Sequence, residues 1–160
     1  MIRIGDTLPS VTLKAITSSG ISDFSTENIN SQDKVVIFAV PGAFTPTCSA
    51  IHVPSFFNNA DSIKDKGVSH IYCLSINDPF VMQAWYEYLS LNDEITFLAD
   101  GNGELTKLMG LELDGRGAGL GLRSQRYVMI LEKGVVKSLT IDENPGQCVD
   151  SSGESLLAML

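Results

Sequence analysis

Cys48 follows Pro41 and Thr45 in the segment Pro41-Gly42-Ala43-Phe44-Thr45-Pro46-Thr47-Cys48-Ser49. Thr45 suits a helix N-cap and Pro46 suits N1, where its missing N–H costs nothing, which puts Thr47 at N2 and Cys48 at N3. Unpaired amides and the positive end of the helix dipole at that position stabilise S⁻ over SH. The spacing therefore predicts a nucleophilic, oxidisable sulfur. The plainer alternative is a buried cysteine that fills space.

Other residues with chemical potential are scattered. His52 lies four positions after Cys48, so the two share a helix face. That pair reads as a Cys/His dyad, as half a metal site, or as a histidine packed on the helix flank. A zinc site lacks a second ligand pair, because the other histidine, His70, falls on a strand. Arg126 opens an apolar strand and is either an exposed strand-end arginine or, if turned toward Cys48, a fixed cation able to bind a developing negative oxygen. Cys73 sits mid-strand and reads as a small core hydrophobe, whereas Cys148 follows the turn Asn144-Pro145-Gly146-Gln147 and reads as accessible and mobile. Gly115-Arg116-Gly117-Ala118-Gly119-Leu120-Gly121 resembles a phosphate loop but has a helix-like segment before it and a strand after it, the wrong context for a dinucleotide site. It is expected to be a mobile or tightly turned loop.

The elements that must hold these residues alternate along the chain. Val35 to Val40 is continuously apolar and β-branched, as for a strand covered on both faces, and Pro41-Gly42 breaks it. The Cys48 helix is expected to reach the Asp61 to Lys66 region despite Pro54. Val68 to Ile76 reads as a central strand ended by Asn77-Asp78-Pro79, which opens a helix. In that helix Val81, Ala84, Trp85, Tyr88 and Leu89 form the expected apolar stripe. A short strand near Ile95 to Leu98, a helix near Gly103 to Met109, a hairpin of Tyr127–Leu131 with Val135–Ile141, and a closing helix from Ser155 to Leu160 follow. The pattern predicts an α/β fold, a central mixed β-sheet flanked by helices, compatible with a thioredoxin-like architecture.

The chain has 160 residues, read as a single domain spanning 1–160 with a core large enough to need no disulfide or metal staple. Eleven basic against 19 acidic side chains give a net charge of −8, which argues against nucleic acid or an anionic membrane as partner. The N-terminus lacks a signal-peptide pattern and no apolar run is long enough to span a bilayer, so a cytoplasmic location is expected. Three cysteines, Cys48, Cys73 and Cys148, form an odd set better suited to redox chemistry than to a structural framework.

The nine residues PGAFTPTCS at 41–49, with Pro41, Thr45 and Cys48 in a P-x-x-x-T-x-x-C frame, closely resemble the peroxiredoxins, and most of all their Prx5 or type II atypical subfamily. The resemblance extends through IGDTLPSVTL at 4–13, His52, INDPFVMQAW at 76–85 and LRSQRYVMI at 122–130. It implies a thioredoxin-like fold and a thiol-dependent peroxidase that reduces hydrogen peroxide and alkyl hydroperoxides through a Cys48 sulfenic acid, with no metal or other cofactor. Carried onto matching positions, Cys48 is the peroxidatic cysteine, Thr45 its hydroxyl partner, Arg126 the site arginine and Pro41 the shield of the pocket. Gly42, Phe44 and His52 fall to the pocket or to a homodimer interface beside it. Resemblance leaves the recycling thiol open between Cys73, Cys148 and an external reductant such as glutathione, glutaredoxin or thioredoxin, with glutathione or glutaredoxin favoured. Two rival readings are a cysteine hydrolase or acyltransferase using Cys48 and His52, and a redox-sensing binding module.

Overall fold

The computed structural model describes residues 1–160. Its strands are β1 (Thr12–Thr17), β2 (Gly20–Ser25), β3 (Val35–Ala39), β4 (His70–Ser75), β5 (Thr96–Ala99), β6 (Glu112–Asp114), β7 (Leu122–Ser124), β8 (Tyr127–Glu132) and β9 (Val135–Ile141). Its helices are α1 (Glu27–Asn30), α2 (Val53–Asn58), α3 (Ala60–Asp65), α4 (Pro79–Tyr88), α5 (Glu104–Met109) and α6 (Gly153–Met159). Seven strands form one mixed sheet in the order β2-β1-β5-β4-β3-β8-β9. Strands β3, β4 and β5 run parallel, while β1 and β8 join antiparallel on either side. This is the thioredoxin-like α/β fold expected from the alternating pattern.

Strand alternation divides the core. Val36, Phe38 and Val40 face one layer with Phe56, Ile63, Trp85 and Leu156 from α2, α3, α4 and α6. Val35, Ile37 and Ala39 face the other with Ile29, Leu105 and Met109 from α1 and α5. Strand β3 is buried at every position because helices cover both faces, which explains its unbroken apolar run. The β8–β9 turn places Lys133 and Gly134 at φ of 49° and 78°, the left-handed pair that matches hairpin twist.

At four places the structure corrects or adds to the sequence expectation. First, the buried side of α4 carries Met82, Trp85 and Tyr86, not the stripe of Val81, Ala84, Trp85, Tyr88 and Leu89. Val81, Ala84 and Tyr88 are exposed, because the helix is rotated to bury its largest rings against Phe97. Second, residues 12–30 supply a hairpin and a short helix whose signal was weak, since β2 is a half-polar edge strand. Third, the helix after Cys48 begins with a π-turn over Cys48–His52, in which the Val53 N–H donates to the Cys48 carbonyl. That extra residue accommodates Pro54, whose ring and missing N–H would otherwise disrupt an α-turn. Fourth, the glycine loop is preceded by β6, not by a helix, and caps the β6–β7 hairpin. It is tightly turned, with Gly115 N–H on the Gly121 carbonyl at 2.7 Å.

The rotation of α4 is testable. Met82→Ala should lower stability by about 2–5 kcal/mol, whereas Ala84→Gln should change it by less than about 0.5 kcal/mol, both read from urea denaturation.

Candidate active site

Three chain segments converge at one end of the sheet. Strand β3 runs into the turn that leads to Cys48, β8 starts just after Arg126, and β9 ends just before Asp142. Antiparallel register places Ala39 opposite Tyr127 and Tyr127 opposite Ile141. Pairing thus brings residues about 80 and 95 positions apart in sequence into one cluster.

Arg126 is fully buried, 1 % exposed, and has no carboxylate partner, since the salt bridges of the molecule are Lys14–Asp23 and Asp114–Arg116. Its Nη2 donates to Cys48 Sγ at 3.1 Å, its Nη1 to His52 Nδ1 at 2.8 Å and its Nε to the Pro145 carbonyl at 3.1 Å. A buried guanidinium needs a compensating anion, and among its three contacts only the Cys48 sulfur is able to become one. The exposed strand-end alternative for Arg126 is therefore excluded.

His52 is a buried accepting partner rather than a base for the sulfur. Arginine can only donate, so Nδ1 accepts and the ring proton resides on Nε2, which donates to the Ser151 carbonyl at 2.9 Å. Burial, and then the nearby Arg126 charge, push its pKa down to about 3. Both ring nitrogens are engaged away from Cys48, so the geometry gives no support to a Cys/His hydrolase. The ring packs on Phe38, with centroids 4.9 Å apart, and Phe38 stacks on Phe56 at 3.9 Å.

Thr45 differs from its expected capping role. Its carbonyl takes the first helical bond from Ser49 N–H at 3.0 Å, but its hydroxyl donates to the Gly42 carbonyl at 2.7 Å. The N–H groups of Thr47 and Cys48 find no backbone acceptor at this helix start. A cavity of about 300 Å³ opens here, lined by Pro41, Thr45, Thr47 and Arg126 on one side, by Ala118 and Leu120 of the glycine loop opposite, and by Pro145 and Gly146. Cys48 itself is fully buried, and the cavity reaches the guanidinium but stops short of the sulfur. The sulfur is therefore not openly approachable, and the 145–146 turn is tied to both its neighbours, Thr47 Oγ1 donating to the Gly146 carbonyl at 2.7 Å and Arg126 Nε to the Pro145 carbonyl at 3.1 Å.

Several contributors had no signal in the sequence. Asn77 Oδ1 accepts from Ala43 N–H at 2.9 Å and from the Ser75 hydroxyl at 2.6 Å, fixing the turn before Cys48. Arg123 braces the rim, donating to the Leu120 carbonyl at 2.8 Å and the Ile76 carbonyl at 3.3 Å. Gly42 is tightly enclosed: a Cβ there would lie 3.1 Å from Arg123 Nη1 and 3.2 Å from Thr45 Cγ2, so both side chains would have to give by a few tenths of an ångström. Phe44 holds a left-handed backbone, φ 63°, and packs its exposed ring on Tyr88 at 5.5 Å. Neither resolving candidate is joined to Cys48: all three cysteines are free thiols. Cys73 is immobilised in β4, opposite Phe38 and Phe97, with its thiol pushed well up by burial. Cys148 is half-buried, not freely accessible, beside the Ser151 hydroxyl at 4.0 Å, and burial pushes its thiol up to about 11.

Comparison with known proteins agrees with this geometry. The Redoxin family matches residues 3–157, and the chain belongs to that family. Peroxiredoxin-2E, chloroplastic, of Arabidopsis thaliana is 45 % identical, covering 99 % of this chain and 69 % of its own length. Peroxiredoxin-2D of the same plant is 43 % identical, covering 99 % and 98 % respectively. Among solved structures, reduced Prx3 of Vibrio vulnificus in complex with hydrogen peroxide superposes with a TM-score of 0.90 at 46 % identity, over 99 % of this chain and 96 % of that one. Within the Redoxin family these relatives place the chain in the type II, Prx5-like peroxiredoxins, which are thiol-dependent peroxidases. No helix is long and apolar enough to cross a membrane.

Holding His52 neutral links stability to acidity. Below about pH 6.5 the unfolded chain binds a proton that the native site refuses, so this contribution is complete above that pH and is lost as pH falls toward about 3. Between about pH 6.5 and 5, the wild type should lose up to about 1.4 kcal/mol per pH unit more than His52→Gln, read from urea midpoints.

Proposed function

We propose that Cys48 is the attacking thiolate and that Arg126 stabilises both it and the oxygen that leaves. The observation that carries this is the buried, carboxylate-free guanidinium donating to Cys48 Sγ at 3.1 Å while its other side borders the cavity. Sulfur attacks the terminal oxygen of a hydroperoxide, the O–O bond breaks, Cys48 gains that oxygen as sulfenic acid, and the departing oxygen takes up a proton to leave as water or alcohol. Approach of the peroxide displaces the Thr47–Gly146 closure. The apolar rim at Ala118 and Leu120 suits the organic part of an alkyl hydroperoxide.

Thiolate formation supplies little of the rate by itself. At a Brønsted slope of about 0.4–0.5, borrowed from disulfide exchange, each tenfold gain in thiolate returns about threefold in lost nucleophilicity. Stabilisation of the departing oxygen must therefore dominate. Arg126 and the free amides of Thr47 and Cys48 are the donors available; the Thr45 hydroxyl, its proton on the Gly42 carbonyl, offers its oxygen as an acceptor for the hydroperoxide O–H, and Pro41 shields the pocket.

Recycling falls to an external thiol, glutathione or glutaredoxin, rather than to Cys73 or Cys148. Cys73 is locked in the sheet, and the half-buried Cys148 thiol, pushed up to about 11, provides little thiolate. An external thiol attacks the sulfenic sulfur, forming a mixed disulfide and water, and a second thiol releases Cys48. The three unpaired cysteines and this reductant fit a cytoplasmic setting. A homodimer completes the reading. Phe44, Ile51, Phe80 and Tyr88, 48–75 % exposed, present large apolar side chains around the nucleophile helix, a surface suited to a second copy.

Cys48→Ser should abolish peroxide turnover, and Cys73→Ser and Cys148→Ser should each retain more than about half of it with glutathione and glutaredoxin. Intact mass after peroxide should show one oxygen, then one glutathione, on Cys48; an intramolecular disulfide would overturn the recycling scheme. Arg126→Lys should lower the stopped-flow peroxide rate by about a hundredfold, well beyond its change in thiolate fraction, because the planar fork is lost. A loss equal to that change would refute the division of labour. Tyr88→Asp should shift sedimentation toward monomer if the patch is the dimer face.

A further inference from the structure

Asp142 is a buried carboxylate, 6 % exposed, with no cationic side chain in salt-bridge range. One loop fills its acceptors. Asp150 N–H donates to Oδ1 at 2.7 Å, Val149 N–H is shared between both oxygens at 3.3 Å, and Ser151 donates to Oδ2 through its N–H at 3.4 Å and its hydroxyl at 2.5 Å. The Asp142 N–H in turn donates to the Arg126 carbonyl at 2.9 Å. The loop is wrapped around a single anion, and this sets the position of the Ser151 carbonyl.

That carbonyl decides what lies beyond it. It takes the His52 Nε2 proton, which leaves the Nδ1 lone pair for Arg126 Nη1. With Nε already on Pro145, two edges of the guanidinium are held and the third is laid on Cys48 Sγ. Ser151, His52, Arg126 and Cys48 are all at most 1 % exposed, so no solvent is at hand to replace a lost partner.

We propose that Asp142 is a positioning residue for the peroxidase reaction: by clamping the 149–151 loop it acts through Ser151 and His52 to hold the Arg126 guanidinium in plane at Cys48. This deepens the assignment of Cys48 and Arg126 made above and rests on it. Rotation of the guanidinium would weaken its hold on the departing oxygen more than its general attraction for S⁻, since the first depends on direction and the second mainly on distance.

A double-mutant cycle with two rate measurements tests the relay. Asp142→Asn should lower the stopped-flow rate constant with hydrogen peroxide by about tenfold or more, while iodoacetamide alkylation of Cys48, which needs the thiolate but no held oxygen, falls by less than about threefold. In a His52→Leu background, where the relay is already cut, the further loss from Asp142→Asn should shrink below about twofold. An unchanged peroxide rate, equal losses in the two rates, or a full tenfold loss that persists with His52→Leu would each overturn the proposal. If Asp142→Asn does not fold, Ser151→Ala, which removes a single donor, should show the same pattern at about threefold, and its absence counts equally against the relay. Additive effects alongside an inactive Cys48→Ser would defeat the relay and leave the nucleophile assignment intact. Turnover that survives Cys48→Ser would defeat that assignment instead.

Discussion

A guanidinium buried without a carboxylate is the constraint around which the rest of this molecule is arranged. Arg126 would be costly in that position were its charge not met, and the groups that meet it are a sulfur, a neutral imidazole and a carbonyl. Sulfur alone among them can become a full anion. In the function proposed above, Cys48 supplies the balancing negative charge through its 3.1 Å contact with the guanidinium. His52 serves this balance by staying neutral, since a protonated ring beside Arg126 would add a second cation with no second anion to meet it.

The scaffold supplies this arrangement by strand register rather than by local sequence. Strands β3, β8 and β9 lie side by side, so the turn after β3, the residue before β8 and the loop after β9 meet at one sheet end. The closing helix anchors the far end of that loop. Gly153 lets α6 approach α2 closely, for a Cβ there would lie 2.3 Å from the Ser55 carbonyl, and Ser152 caps α6 through Ser155 N–H at 3.1 Å. Pro145 and Gly146 are therefore held over the sulfur from both sides. Cys48 is thereby kept from solvent, while the cavity opens beside it at Arg126.

The elements legible in the sequence were those with strong local signals. The unbroken apolar run of β3, the Asp78-Pro79 helix start, where the Asp78 side chain accepts from Phe80 and Val81 N–H, and the β8–β9 hairpin all lie where expected. Reading failed where tertiary packing overrode local pattern. Helix α4 offers two partly apolar faces, and the choice between them was made by Trp85 and Tyr86 finding Phe97 across the sheet. The π-turn at Cys48–His52 has Pro54 as its only local hint, and that residue alone does not separate a π-turn from a kink.

The sequence by itself singled out Cys48 as the candidate nucleophile, because a Thr-Pro-Thr-Cys helix start after a buried strand is a short-range arrangement written in consecutive residues. It also determined the fold class and the family, through periodicity and a nine-residue motif. Only the tertiary structure decided that Arg126 faces Cys48 rather than solvent, that His52 accepts from the arginine instead of deprotonating the sulfur, and that the 145–146 turn closes on Thr47 and Arg126. These depend on which strand ends pair and on how loops close over them, relations between residues far apart in the chain that no local spacing encodes.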